Sequence, residues 1–334
     1  MPVTLPDQLQ LAHGNGGRLT RELLETLVFP ALGCVESPTD AAALPADGRI
    51  PMLASDSFTV QPLSFPGGNI GSLAVHGSLN DLAVSGAEPA ALTLNLIIEE
   101  GFATTELRGL LEAAGVAARA AGVPIVGGDT KVVPRGQGSG LVIITTALGW
   151  RAPSLALDIH QIRAGDAVLV SGPLGDHGAT VMMAREAFGL SSALVSDAAC
   201  VLPLARSALA TPGLRFMRDP TRGGLASVMH EIARATGLGC ELDEARIPVR
   251  PEVHGLCQLL GFNPLQLACE GRIVAVVDAP SAPALLAQWQ QTAGGMQAAI
   301  IGEISAGGEV VLRTALGGRR YLDELAGDPL PRIC

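Results

Sequence analysis

The chain has 334 residues, enough for two ordinary domains, and 48% of them are apolar against 16% charged, which excludes a disordered polymer. A formal net charge of −10 without any basic run argues against nucleic acid or an anionic membrane surface as a partner. No apolar run approaches the roughly 20 residues that span a bilayer and "MPVTLPDQLQ" does not read as a signal peptide, so a cytoplasmic location is expected.

Aromatic residues make up only 3% of the chain, so alanine and the aliphatic residues must fill its cores. In chain order, "HGNGGRLT" (13–20) places small residues and free backbone amides before a helix predicted from near Leu19, an arrangement suited to an anion. "RIPMLASDSF" reads as a strand running into a loop. "NIGSLAVHGSLNDLAVSGAEP" carries apolar residues at helical spacing and ends on a Gly/Pro stop. "AALTLNLII" is strand-like, "TTELRGLLEAAGVAARAAG" an amphipathic helix, "VPIVGGDTK" a short buried strand ending in a loop, and "GLVIITTALGW" a further strand. The segment "RAPSLALD" marks a seam near residue 152.

The second half reopens with "RAGDAVLVSGPLGDHG", a strand and a glycine turn, then a helix through "ATVMMAREAFG". Helices are predicted around 197–210, 222–236, 251–260 and 281–294, alternating with strands in "GCEL", "RIVAVVD" and "MQAAIIGEI". The pattern describes two α/β domains in tandem, with boundaries at 1–152 and 153–325. From about 326 onward "AGDPLPRIC" reads as an extended, mobile tail, because Pro329 and Pro331 disfavour helix. The last residue of the sequence is a cysteine, and an exposed thiol there would be open to oxidation. None of the six cysteines (34, 200, 240, 257, 269, 334) forms a C-x-x-C pair, so the first five are expected to be small core residues.

Four aspartates sit in strand-end loops or beside glycine turns: Asp56 in "ASDSF", Asp81 in "LNDLAVSGA", Asp129 in "VGGDTK" and Asp219 in "RDPTRGGLA". Each alone could cap a helix or a turn. Together, on the edge where α/β sheets bind ligands, they would repel one another without a cation. Hard oxygen donors with room for phosphate oxygens suit Mg²⁺, and the implied ligand is a Mg–nucleotide. Lys131, two residues past Asp129, places an ammonium where it could meet a phosphate. Neither a P-loop nor a clean G-x-G-x-x-G is present.

These segments, together with "ACEGR" and the final "PRIC", resemble the HypE hydrogenase-maturation factors over essentially the whole chain. HypE proteins belong to the PurM-like ATP-dependent enzymes, with aminoimidazole ribonucleotide synthetase, thiamine-monophosphate kinase and selenophosphate synthetase. The aspartate motifs are shared by that superfamily, whereas "PRIC" is the specific part. The resemblance implies an α/β (α+β) PurM-like fold whose N-terminal domain pairs with its twin to form a dimeric β-barrel, capped by a C-terminal α+β domain.

It also implies an activity. A HypF-like carbamoyltransferase would load Cys334, ATP would drive dehydration of the S-carbamoyl group to S-cyanide, and a HypC–HypD-like complex would receive the cyanide on iron for [NiFe]-hydrogenase assembly. The implied catalytic residues are Cys334, Lys131 and Glu270, with Glu270 taking protons from nitrogen. The implied nucleotide contacts are Asn15, Gly16, Gly17, Asn80, Thr130, Asp219, Thr221, Gly223 and Gly224, and the metal carboxylates are Asp56, Asp81, Asp129 and Asp219. His13 is a candidate for a flap over ATP, and His76 and His177 are candidates either for phosphate contact or for structural hydrogen bonds. Two other readings stand beside this one. Another PurM-like activity could be a selenophosphate synthetase, which would carry a reactive cysteine in the N-terminal glycine loop where this chain has His13-Gly14-Asn15, or a small-molecule kinase, which would make Cys334 dispensable; a non-catalytic maturation scaffold would need none of the aspartates.

Overall fold

A computed structural model describes residues 17–23, 25–26, 42–43, 48–185, 192–314, 316–325, 327 and 333–334. The expectations for His13, Asn15, Gly16, Cys34, Pro329 and Pro331 lie outside these residues. A short helix α1 (Gly17–Leu23) precedes strands β1 (Ala42–Ala43) and β2 (Ile50–Phe58) and the small hairpin β3 (Ser64–Phe65) and β4 (Gly68–Asn69). Then come α2 (Ile70–Val84), β5 (Glu88–Glu99), α3 (Thr104–Ala121), β6 (Ile125–Gly127), β7 (Thr130–Val133) and β8 (Leu141–Arg151).

The first sheet runs β1-β2-β8-β5-β6, with β7 also pairing β5. Strand β8 alternates with period two: Leu141, Ile143, Thr145 and Ala147 are buried, while Val142, Ile144 and Leu148 stay half exposed. The buried side packs against α2 and α3 in a core that includes Met52, Leu79, Leu82, Leu92 and Ala117. Among the described residues the opposite side is left open and the sheet does not close into a barrel. Helix α2 starts at a capping box in which the Asn69 side chain accepts from Ser72 N–H while Ser72 Oγ accepts from Asn69 N–H. It is buried nearly all round rather than on one stripe, because the second half of the chain covers its outer side.

The second half contains β9 (Ala167–Val170), α4 (Asp176–Arg185), α5 (Leu202–Leu209), β10 (Leu214–Arg218), α6 (Gly224–Thr236), β11 (Gly239–Asp243) and α7 (Pro251–Leu260). It ends with β12 (Val274–Val277), α8 (Ala282–Gln291), β13 (Ala299–Ser305), β14 (Val310–Arg313) and β15 (Arg319–Tyr321). Its sheet runs β10-β12-β9-β13-β11-β14-β15 and is mostly antiparallel. Val168, Val170, Val274 and Val276 point into one core with α6, and Ala167, Leu169, Ala275 and Val277 point into another with α5 and α8. Burial on both faces explains the unbroken apolar run "RIVAVV". Ala83 and Val84 of α2 join the second of these cores, which seats the first half on the second.

Two expectations change. "VPIVGGDTK" forms two exposed strands, β6 and β7, at the end of the first sheet rather than one buried strand, because nothing among the described residues covers them. The helix predicted from 197 starts at Leu202, since residues before it are held by long-range bonds: the Asp197 carboxylate accepts from Glu270 N–H, and Asn80 binds both Ala199 C=O and Val201 N–H. Strands β10 and β14 carry no expectation from the sequence.

Candidate active site

A cavity of about 600 Å³ opens between the two halves. Strand β2 contributes Asp56 and its neighbours, α2 contributes Gly77 and Asp81, and the turn after β10 contributes Asp219, Thr221 and Arg222. Glu270 comes from the loop before β12, Gly17 and Arg21 from α1, and Cys334 from the end of the chain. Residues more than 250 positions apart therefore meet in one wall.

Local bonds position the carboxylates. Ser78 Oγ donates to Asp56 Oδ2 at 2.9 Å and lies 2.7 Å from Thr145 Oγ1. At Gly77 a methyl group would come within 2.6 Å of the Phe58 ring, so only glycine lets α2 lie this close to β2 beside the cavity. The Glu270 backbone is held by Asp197 and by Asn80, whose Nδ2 donates to Glu270 C=O at 3.1 Å. Gly271 lets the loop run directly against the Asp197 carbonyl oxygen, where any Cβ would collide.

The electrostatics are those of crowded acids. Asp219 is raised to about 6, first by burial, with Asp56 and Glu231 adding repulsion and Arg218 opposing it. Glu270, 3% exposed, is pushed well above the usual carboxylate range by burial and then by Asp219 and Asp197, against the pull of Arg222. Its Oε1 is buried with no hydrogen-bond partner. A buried carboxyl lacking a partner is costly and marks a place where something else binds. Arg21 and Arg234 both pair with Glu324 (2.6 and 2.9 Å), and Arg218 pairs with Glu231 (3.3 Å), so cationic groups line the same cavity.

Cys334 is not the exposed thiol expected from its position. It is 8% exposed, its Sγ accepts from Arg222 Nε at 3.2 Å, and its carbonyl oxygen accepts from Thr59 N–H at 3.1 Å. Among the other described cysteines, Cys240, Cys257 and Cys269 are buried, and burial raises their thiols.

The structure brings together Asp56, Asp81, Asp219, Thr221, Gly17, Glu270 and Cys334, and leaves other candidates apart. Asn80 is in the wall rather than the cavity: it is buried and both ends of its amide are spent on backbone groups. Gly223 and Gly224 form the left-handed turn that starts α6, behind the lining residues. Asp129, Thr130 and Lys131 are exposed at the end of the first sheet, where Asp129 Oδ1 accepts from Thr130 N–H. His76 does not line the cavity, and burial holds its imidazole down to about 4. His177 is fully buried and makes structural hydrogen bonds. Arg222 was absent from the sequence candidates; its only signal there is its place inside "DPTRGG".

Residues 38–150 match the family "AIR synthase related protein, N-terminal domain", and residues 163–314 match the corresponding C-terminal domain family. The chain is 44% identical over 334 residues to the carbamoyl dehydratase HypE of Cupriavidus necator, covering 98% of this chain and 95% of that protein. The chain belongs to the HypE family. A HypE–HypF complex contains a similar fold at a TM-score of 0.86 and 38% identity, covering 91% of this chain and 99% of that one. A HypE structure in complex with ATP has a TM-score of 0.82 and 40% identity, covering 98% and 100%. HypE architecture thus accounts for both halves of the chain and for the cleft between them. Among the described residues no helix is long and apolar enough to cross a membrane.

Proposed function

We propose that this chain dehydrates an S-carbamoyl group on Cys334 to an S-cyanide at the expense of ATP, for donation to iron in [NiFe]-hydrogenase assembly. The observation that carries the reading is the Cys334 sulfur, in contact with Arg222 inside the cavity lined by Asp56, Asp81, Asp219 and Glu270. A kinase would have no use for a thiol there, and a selenophosphate synthetase carries its reactive cysteine in the glycine-rich N-terminal loop, where this chain has His13-Gly14-Asn15.

The reaction removes one oxygen and two protons from S–C(=O)NH₂. ATP supplies a phosphoryl group that converts the carbamoyl oxygen into departing phosphate. Arg222, beside the sulfur, stabilises negative charge as it gathers on the carbamoyl group. Glu270, buried and unpartnered at Oε1, takes the first nitrogen proton when ionised, the second leaves with the departing phosphate as hydrogen phosphate, and the raised pKa of Glu270 makes it a stronger base than a solvated glutamate.

The donor set suits Mg²⁺ because Asp56, Asp81 and Asp219 offer hard oxygens and their crowding favours an added cation. Among the described residues no three potential ligands form a ready-made cluster, which fits a metal held jointly with phosphate oxygens. Bound there, Mg²⁺ would neutralise phosphate charge.

Lys131 stands outside the cavity, at the exposed end of a sheet where Val126 and Val132 are 64% and 63% exposed. We assign this open sheet to pairing with a second copy, and Lys131 to that copy's cavity. Cys334 is loaded by a HypF-like carbamoyltransferase, reacts in the cavity, and passes its cyanide to a HypC–HypD-like acceptor. Intact-protein mass spectrometry tests the reading. After carbamoylation of Cys334, Mg–ATP should remove one water from the C-terminal peptide. Uptake of ATP with no loss of water would refute it.

A further inference from the structure

Glu270 lies in the irregular stretch before β12, yet its peptide is held from both halves of the molecule. Its N–H donates to Asp197 Oδ1 at 3.3 Å, and its carbonyl oxygen accepts from Asn80 Nδ2 at 3.1 Å and from Ala199 N–H at 3.4 Å. Asn80 belongs to α2 of the first half, Asp197 to the segment ahead of α5 in the second. Asp197 is itself braced. Its side chain is fully buried, its Oδ2 makes no hydrogen bond, and Arg272 Nε stands 3.5 Å from that oxygen. Arg272 also faces Asp176 Oδ2 at 3.7 Å, and the same oxygen accepts from Arg250 Nε at 2.8 Å. Arg250, Asp176, Arg272 and Asp197 thus form a row of alternating charge running from the half-exposed start of α7 inward to the Glu270 peptide.

The site is built around this row. Arg272 Nε donates to Pro173 C=O at 2.9 Å and Nη1 to Gly271 C=O at 3.2 Å. A Cβ at Gly172 would crowd Arg272 Nε at 3.0 Å, and one at Gly271 would strike the Asp197 carbonyl oxygen at 1.9 Å. Charges buried this deeply cost stability unless each is paired, so an apolar filling would have served the fold as well. None of the four lines the cavity, and neither does Asn80.

On the dehydratase reading, we propose that Asp197 and Asn80 are positioning residues for Glu270, gripping its peptide from opposite halves of the molecule and so fixing where Oε1 meets the carbamoyl nitrogen. Neither touches the reacting atoms. A base must keep its oxygen free for the proton it takes, and Glu270 Oε1 has no hydrogen bond to aim it. Anchoring the backbone aims the carboxyl without occupying it. Asn80 also stands next to Asp81 on α2, so the helix that carries Asp81 into the cavity carries one side of the grip on the base. That helix sets the spacing between the acidic wall and Glu270.

The test separates this role from the dehydration on which it rests. In the ligand-free full chain, the Glu270 carboxyl is identified as the infrared band missing from Glu270→Gln. Asp197→Ala and Asn80→Ala should each shift or broaden that band, and Asp197→Asn, which keeps an oxygen for the Glu270 N–H, should shift it less. In single-turnover water loss from the carbamoylated chain, the two alanine variants should each be slower by roughly ten- to a hundredfold, the scale of a misplacement of about 1 Å. Asp197→Asn should recover most of that loss. Mg–ATP affinity should stay within about twofold of wild type, since only the chemical step is touched. In a Glu270→Gln background the same replacements should slow water loss no further. The two positions lie in different halves, so one variant answers if the other fails to fold. If the band stays in place, water loss keeps its wild-type rate, or the slowing persists in full without Glu270, the positioning role is overturned while the dehydratase reading stands. If the band moves and carbamoylated wild type never loses water, the grip on Glu270 stands and the dehydratase reading falls.

Discussion

Replacing Asp219 by asparagine should stabilise the ligand-free protein while disabling it. Asp219 is buried, and its carboxyl is raised from the usual 3.8 to about 6 by burial and by the Asp56 and Glu231 carboxylates. At 1.36 kcal/mol per pH unit, a rise of about two units makes the ionised group cost the fold about 3 kcal/mol. Below pH 3.8 both the folded and unfolded chains hold the proton, and the cost is absent. Between 3.8 and about 6 the unfolded chain has lost its proton while the folded chain keeps it, so stability falls as pH rises. Above about 6 the full cost is present and constant. Asparagine keeps the shape and removes the charge. At pH 7.5, Asp219→Asn should therefore melt up to roughly 10 °C higher than wild type, at 2–4 °C per kcal/mol for a domain of this size. The gap should close near pH 4. Calorimetric scans of both chains from pH 4 to 8, without nucleotide, measure it. Mg–ATP should raise the wild-type midpoint and leave the variant's unmoved, reversing their order. A variant that melts at or below wild type at pH 7.5, with the same dependence on pH, would refute the account of Asp219 as a site held at the fold's expense.

Arg222→Ala should leave carbamoylation of Cys334 intact and slow its dehydration roughly ten- to a hundredfold, the worth of a charge-assisted hydrogen bond, as read by single-turnover mass spectrometry. Arg222→Lys should restore little, since a flexible ammonium does not reproduce the directed Nε–H contact. Gly271→Ala should prevent stable folding or lower the midpoint by several degrees, because its methyl meets the Asp197 carbonyl; circular dichroism melting reads this. Mixing Lys131→Ala with Cys334→Ala chains should recover up to about a quarter of wild-type dehydration when each copy completes the other's cavity; no recovery would place Lys131 outside the partner's site. Dehydration should rise with pH across the range in which Glu270 ionises, and Glu270→Gln should abolish that rise in a pH–rate profile.

Much of this protein is written in local pattern. The alternation in "LVIITTAL" specifies a strand with one face on helices, the run "RIVAVV" a strand buried on both, and Asn69 with Ser72 the start of α2. Carboxylates beside small residues pointed to an acidic cavity, and "PRIC" announced the family, because these signals lie within a few residues of one another. What a sequence cannot carry is the meeting of distant segments. Whether an aspartate faces a cavity or an open edge depends on what packs over its strand. That decision joined Asp56, Asp219 and Glu270 and left Asp129 and Lys131 at the end of the first sheet. Asn80, beside Asp81, was expected from the resemblance to touch the nucleotide. The fold instead spends its amide on three backbone groups, the carbonyls of Ala199 and Glu270 and the N–H of Val201. The last cysteine likewise promised a free thiol. Burial of Ile333 and the hydrogen bonds of His177, Thr59 and Arg222 turned it inward, because long-range contacts, not neighbours in the chain, determine where a short terminal segment comes to rest.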